Sequence, residues 1–318
     1  MTNLTLPIFT DPEKAREHLE ALHWPNGPIC PHCGTVDEAT LVQGKSHRPG
    51  MYQCNACREP FTVTVGTVME KSHIPLNKWV LGFHLMAASK KGISAHQLMR
   101  MLGIGSYRSA WFMAHRIREA MAPAKGGGRL GGKGKVVEAD ETYVRKAPRD
   151  RSITRVDGTP FTGGKSGRGT SNTHTVVSFV ERGGSARSFH VERADRPTIE
   201  ALVTTHIHPE SRLHTDESHL YRAAGTIVAK HERVLHRKGE YAREDVTTNS
   251  AEGHFSVFKR GLVGTYQHMS AQHLHRYLAE FDFRRNTRAR LGVDDTMRAE
   301  IAMKAARDKR LTYYSVNP

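Results

Sequence analysis

Nowhere in these 318 residues is there an apolar run long enough to cross a bilayer. The longest such stretch, Trp79 to Ala88, is broken by Gly82 and His84. The opening MTNLTLPIFTDPEK lacks a basic start followed by an apolar segment, so no secretory signal is expected. Cysteine is scarce: there are four, and all fall between residues 30 and 57. In a chain without an export signal, that clustering argues for metal rather than disulfides. Acidic residues are in deficit, with 32 Asp and Glu against 47 Lys and Arg. The resulting formal charge of +15 favours polyanions, although an anionic membrane surface would satisfy charge alone. No internal repeat is visible. These absences point to a cytoplasmic protein. The 38% hydrophobic content suffices for two or three packed domains separated by polar segments.

Asp11 as N-cap and Pro12 at the first helical position open a helix that runs to about His23. The cysteine-bearing segment follows, from Trp24 to Thr67, with strand-like stretches such as Phe61 to Val65. Helical patterns then cover Leu76 to Lys90, Ser94 to Leu102 and Ser106 to Met121. Residues 123–134, PAKGGGRLGGKG, have the composition of a flexible basic linker. Beyond it, strands are expected at Val136 to Val144, Thr173 to Glu181 and Ala186 to Glu192. A helix capped by Asp195 spans Arg196 to His206, and a short strand, Ser211 to Thr215, leads to Asp216. Helices at Asn249 to Arg260 and Ala271 to Phe283 complete an α/β domain with a mixed sheet. The expected boundaries are 1–72 for the first helix and cysteine module, and 73–122 for a helical region. The linker at 123–134, the α/β domain at 135–290 and a tail at 291–318 complete the chain.

Cys30-Pro31-His32-Cys33 and Cys54-Asn55-Ala56-Cys57 form two C-x₂-C pairs with twenty residues between them. Each pair lets one tight turn present two thiolates, and two such turns complete a tetrahedral zinc site. Gly34, directly after Cys33, suits the positive φ that such turns often need. Four thiolates leave no open position for substrate, so the zinc is structural. The segment 92–121 reads either as a helix-turn-helix or as a plain helical hairpin that packs the zinc module against the next domain. In the first reading Ser94 and Ser106 cap the two helices, and Leu98, Met101, Leu102, Trp111 and Ile117 form their shared core. Arg108, His115, Arg116 and Arg118 are then the candidates for contacts to nucleic acid.

The segment Val136 to Val144 reads as a central strand yet carries three acids. Alternation puts Glu138, Asp140 and Thr142 on one face and Glu141 on the other. Carboxylates in a strand resist burial unless a positive group compensates them, and a divalent metal is the natural partner. Asp216 follows the strand Leu213-His214-Thr215, and Glu252 lies in the first turn of a helix capped by Asn249 or Ser250. Thirty-five residues separate Asp216 from Glu252, and Lys259 stands seven residues after Glu252, two turns along the same helix face. Three such carboxylates could hold two Mg²⁺ or Mn²⁺ ions and leave sites for phosphate and water, with Lys259 near a phosphate. Glu138 and Glu141 read as supporting or surface acids.

The motifs CPHCG, YQCNACREPFTVTVGTVME, EADETYV, HTDES, NSAEGHFSVFKRGLVGTYQH and HLHRYLAEFDFRRN lie between about residues 10 and 290. Together they resemble the D-D-E transposases of bacterial insertion sequences, specifically the ISXO-type group with an N-terminal zinc ribbon. The resemblance implies an RNase H-like catalytic fold with Asp140 on the first strand, Asp216 after the fourth and Glu252 on a later helix. It implies cleavage of double-stranded DNA at transposon ends and transfer of the 3′-hydroxyl strand to target DNA. The zinc ribbon and helical region would recognise the terminal inverted repeats, and the protein would act as a homodimer or larger assembly. Relatives of this kind can carry another residue in place of the third acid, which makes His254 a rival to Glu252. They usually show a Tyr in the final motif where this chain has Arg285. A nuclease or resolvase of the same fold is an alternative, and so is a zinc-ribbon regulator with an inactive catalytic domain. Intact Asp140, Asp216, Glu252 and Lys259 argue against the latter.

Gly163-Gly164-Lys165-Ser166 imitates the end of a phosphate-binding loop, but the glycine required earlier is Thr159, so nucleotide binding is rejected. The basic, glycine-rich stretch from Arg145 to Thr170 reads as an insertion between the first two strands, either solvated or following a DNA backbone. His214 and His219 flank Asp216 and are expected in structural or surface roles. The arginines near 284–290 are expected to touch phosphates or a partner subunit, or to be solvated.

Overall fold

The computed structural model describes residues 3–44, 46–124, 126–145 and 173–312, and the chain divides into two units. One comprises Met1–Lys125 with Thr287–Pro318, the other Gly126–Asn286.

In the first unit, α1 (Pro7–Thr10) precedes α2 (Pro12–His23), whose first turn is capped by the Asp11 carboxylate accepting from the Glu13 N–H at 2.8 Å. Three short antiparallel strands follow: β1 (Ala39–Leu41), β2 (Tyr52–Cys54) and β3 (Pro60–Phe61). Helices α3 (Leu76–Ala88), α4 (Ala95–Leu102) and α5 (Tyr107–Met121) then bury Trp79, Phe83, Leu98, Met113 and Ile117. Gly82 interrupts the apolar run for a packing reason, since a Cβ there would lie 2.7 Å from the Met113 methyl of α5. Ser94 caps α4 through the Gln97 N–H at 3.1 Å, and Gly103 ends it in the left-handed region. Ser106 occupies the N-cap of α5 without a side-chain bond. The stretch expected as a tail carries another helix, α9 (Asp295–Lys304), which packs on α3 and α2. His23 Nε2 lies 2.9 Å from the Met303 carbonyl, and the buried Arg298 donates to the carbonyls of Thr287 and Ala87.

The second unit is a mixed five-stranded sheet made of β4 (Val136–Arg145), β5 (Thr173–Glu181), β6 (Ala186–Val191), β7 (Arg212–Thr215) and β8 (Lys230–Arg233). Their order is β6-β5-β4-β7-β8, with β5 and β6 antiparallel and β7 and β8 parallel to their neighbours. This is the mixed α/β sheet of an RNase H-like domain, and β4 sits at its centre. Alternation along β4 sorts its side chains between two cores. Val137 and Ala139 pack on the side of α6 (Arg196–His206), with Ile199, Val203 and Tyr221. Val144 packs on the other side with Phe255, Phe258, Leu274 and Phe281, from α7 (Asn249–Gly261) and α8 (Ala271–Asn286).

The second half of the expected linker is not free chain. Leu130 is buried in the α6-side core and exchanges backbone bonds with His206 and His208. Gly131, at φ +87°, lies so close to Ser211 that a Cβ would collide with its hydroxyl. At the sheet edge, β6 finds partners on α8. Asp282 accepts from the Ser188 N–H at 2.6 Å, and the Asn286 amide both accepts from and donates to the backbone of Ala186. These acceptors and donors close an otherwise open strand edge. The insertion expected over 145–170 and its GGKS sequence lie outside the described residues, apart from Arg145.

Candidate metal centres

The cysteine module turns twice on the same backbone device. After the first pair, Gly34 donates its N–H to the Cys30 carbonyl and adopts φ +80°. After the second pair, Arg58 donates to the Cys54 carbonyl and adopts φ +64°. The turns bring all four Sγ atoms within 4.8 Å of one another, with Cys30–Cys57 and Cys33–Cys54 both at 3.6 Å. Tetrahedral coordination with Zn–S bonds of about 2.3 Å sets sulfurs about 3.8 Å apart, so this donor set fits Zn²⁺. Around it lie the buried Phe61 and the partly covered Trp24, Tyr52, Ala39 and Val65, and the three aromatic rings meet at 5.4–5.9 Å.

In the second unit Asp140 stands on the central strand and Asp216 directly follows β7, where its Oδ1 accepts from the Ser218 N–H at 2.9 Å. Glu252 lies in the first turn of α7, exposed, with Oε1 accepting from the Thr248 hydroxyl at 2.9 Å and 3.7 Å from His236 Nε2. Asp140 feels the charge of the other two. Burial, then the adjacent Glu141 carboxylate, pushes the Asp140 carboxyl up to about 7, with Asp216 and Glu252 adding to the shift. Glu141 is also raised, by burial and by Asp216, against the bonds it accepts from Tyr221 and Ser218; the buried Tyr221 hydroxyl lies 2.9 Å from its Oε2. Oxygen donors whose charge is this unwelcome suit a hard divalent cation. Their spread is wider than that of the thiolates. Among the described residues, the cysteines alone form a group of three or more His, Cys, Asp or Glu ligand atoms within 4.8 Å of one another.

A cleft of about 500 Å³ opens beside Asp216 and Glu141, and its lining also includes Arg222, Arg233, Arg237, Lys238 and His219. Lys259 is exposed two turns along α7 from Glu252. His214, by contrast, is fully buried, with Nδ1 3.4 Å from Arg182, and burial holds its pKa down.

Several expectations need correction. His254 is no rival to Glu252, because it is buried against β6 with Nε2 3.0 Å from Asp282 and 3.2 Å from the Ser188 hydroxyl. In the helical region His115 and Arg118 are buried, and Arg116 donates to the carbonyls of Leu311 and Glu70; of the four candidates for nucleic-acid contact, Arg108 alone is exposed. Met101 is exposed rather than part of the shared core. Of the arginines near 284–290, Arg284 is buried and paired with Glu280. Neither Asn249 nor Ser250 caps α7. Thr248 is its N-cap, and the helix amides of Ser250 and Ala251 donate to Glu138 instead. Glu138 is therefore no surface acid. Its full burial beside Arg182 was foreshadowed only by its place in the middle of an apolar strand.

Four thiolates spaced for zinc, and acids of a mixed sheet beside a cleft lined with basic side chains, mark a protein with a structural zinc module and an acidic site in its α/β domain. Comparison with known proteins narrows this class. Residues 129–286 match the ISXO2-like transposase domain and residues 10–59 the transposase zinc-ribbon domain, together the greater part of the chain. The chain belongs to the ISXO2-like insertion-sequence transposases with an N-terminal zinc ribbon. It is also 28% identical over 287 residues to an uncharacterized protein in transposable element ISH50 of Halobacterium salinarum, covering 89% of this chain and 93% of the relative. Among the described residues no helix is long and apolar enough to cross a membrane.

Proposed function

We propose that this transposase binds the terminal inverted repeats of its element, cleaves the DNA at those ends and joins the freed 3′-hydroxyl to target DNA. Asp140, Asp216 and Glu252 would hold two Mg²⁺ or Mn²⁺ ions. Such ions activate an attacking water or hydroxyl and stabilise the leaving oxygen. The observation that carries the reading is the Asp140 carboxyl, which burial and the adjacent Glu141, with smaller additions from Asp216 and Glu252, push up to about 7 and which bound cations would relieve.

The chain's own residues supply the rest of the site. Arg222, Arg233, Arg237 and Lys238 line the cleft beside Asp216 and would seat the DNA backbone through its phosphates. Lys259 would take a further phosphate from the face of α7 that carries Glu252. Zinc-ribbon and helical segments would contribute end recognition in a homodimer or larger assembly acting in the cytoplasm, since both transposon ends must meet in one complex.

The test is an assay with Mg²⁺ or Mn²⁺ on DNA bearing the flanking inverted repeats, comparing wild type with Asp216→Ala. Cleavage and joining should fall by at least about a thousandfold in the variant, a loss of several kcal/mol of transition-state stabilisation. Hydrolysis without a joined product makes the protein a nuclease. Specific binding with no strand breakage under any divalent ion leaves a zinc-ribbon DNA-binding protein.

A further inference from the structure

We propose that Glu138 is a positioning residue whose buried carboxylate locks the helix carrying Glu252 to the strand carrying Asp140. This rests on the reading of those two acids as metal-holding groups.

Glu138 lies two residues before Asp140 on β4 and is fully buried. Its Oε1 accepts from Arg182 Nε at 3.1 Å and Nη2 at 2.8 Å. Its Oε2 accepts from the Ser250 N–H at 2.6 Å and the Ala251 N–H at 3.1 Å. The first amides of a helix need acceptors and favour negative charge. Here the acceptor comes from the sheet, because Thr248 at the N-cap makes no side-chain cap bond. Arg182 extends the clamp by donating through Nη1 to the Asp245 carbonyl at 2.7 Å, on the approach to α7. The final link is short: the Thr248 hydroxyl, beside the clamped turn, donates to Glu252 Oε1.

All four contacts to Glu138 come from donors, so only a group with two acceptor oxygens serves them. Glutamine turns an NH₂ toward either the guanidinium or the helix amides. Aspartate keeps the charge but falls one methylene short. A buried ion pair is a poor means of adding stability, since apolar replacements often do as well. What it adds here is a fixed relation between two acids that come from distant parts of the chain.

The experiment uses the zinc-loaded full-length protein and compares wild type, Glu138→Gln and Glu138→Asp. Mn²⁺ binding is followed by electron paramagnetic resonance, with the site defined as the Mn²⁺ lost in Asp140→Asn. Hydrogen exchange is followed at Ser250 and Ala251. Both Glu138 variants should bind Mn²⁺ about 10–100-fold more weakly, the usual consequence of removing a group that orients metal ligands. Their Ser250 and Ala251 amides should exchange faster, the Mg²⁺ midpoint for end cleavage should rise in the same ratio, and zinc content should not change. If Glu138→Gln does not fold, Glu138→Gln/Arg182→Met is measured in its place. That pair removes both charges together. A folded variant with wild-type Mn²⁺ affinity and protected Ser250 and Ala251 amides would overturn the proposal, as would wild-type protein that binds no Mn²⁺ through Asp140. Wild type that binds Mn²⁺ yet breaks no strand sinks the transposase reading instead, and the exchange and Mn²⁺ measurements still judge Glu138.

Discussion

In the zinc ribbon four ligands come from two tight turns between residues 30 and 57, and their sulfurs already stand at the spacing of a tetrahedral site. In the α/β unit three carboxylates come from the centre of a sheet, the end of a neighbouring strand and the start of a helix. Asp140 feels the charge of the other two, but the three do not close to that spacing. The first arrangement is fixed by local turns and has almost no core of its own. The second is held by the two cores that sandwich the sheet, each far larger than that of the ribbon. The first module is therefore expected to depend on zinc for its fold, whereas the second is held by packing around its sheet.

Zinc removal is the strongest way to break this contrast. A chelator, or Cys54→Ser, should unfold residues 30–61 and remove on the order of 10 kcal/mol of metal-linked folding free energy. Amide spectra should show the ribbon signals collapsing while those of the sheet persist, with one zinc bound per intact chain. Loss of the sheet signals together with the ribbon would mean that the two modules do not differ in this way.

A smaller effect of opposite sign is expected at Asp140. Its folded carboxyl sits at about 7, against an ordinary value of 3.8. The folded protein therefore binds this proton more tightly than the unfolded chain. Its contribution to stability is complete below about pH 4 and is lost as pH rises through about 7. At pH 8, in zinc-loaded protein without added Mg²⁺, Asp140→Asn should be more stable than wild type, on the order of 2 kcal/mol. Added Mg²⁺ should stabilise wild type and leave the variant unmoved. Urea titrations at pH 5 and pH 8 measure both, and equal stabilities at pH 8 would remove the electrostatic basis of the site.

The same contrast explains what could be read in the sequence. Paired cysteines, the acid-bearing strand and Asp216 are local patterns, and alternation along β4 correctly separated Glu141 from Glu138. The role of Glu138 was hidden because its partners are Arg182, beyond the antiparallel neighbour, and helix amides more than a hundred residues away. His115 and Arg118 looked like surface groups on an amphipathic helix, but α5 is enclosed on more than the face that periodicity marks as apolar. The strand Lys230–Arg233 went unseen because it is a short, polar edge strand with no alternating apolar pattern. Asp282 and Asn286, in a motif that resembled a family signature, serve that fold by closing the opposite edge.

The smallest effect lies within the ribbon, where the two turns share a backbone bond but close on different residues. Gly34 and Arg58 follow their cysteine pairs with φ of +80° and +64°, yet only the first is a residue that adopts this region without cost. An L side chain in the left-handed region costs about 1–2 kcal/mol, and glycine returns part of that gain by being freer when unfolded. The contacts made by the Arg58 backbone, its N–H to the Cys54 carbonyl and its carbonyl to the Gln53 amide, are kept in Arg58→Gly. That variant should stabilise the zinc-bound ribbon by somewhat under about 1 kcal/mol, and Gly34→Ala should weaken it by a similar amount. Competition for zinc against a chromophoric chelator reads both as shifts of a few-fold in affinity. Weaker zinc binding by Arg58→Gly would show that the Arg58 side chain has contacts worth more than the strain of its backbone.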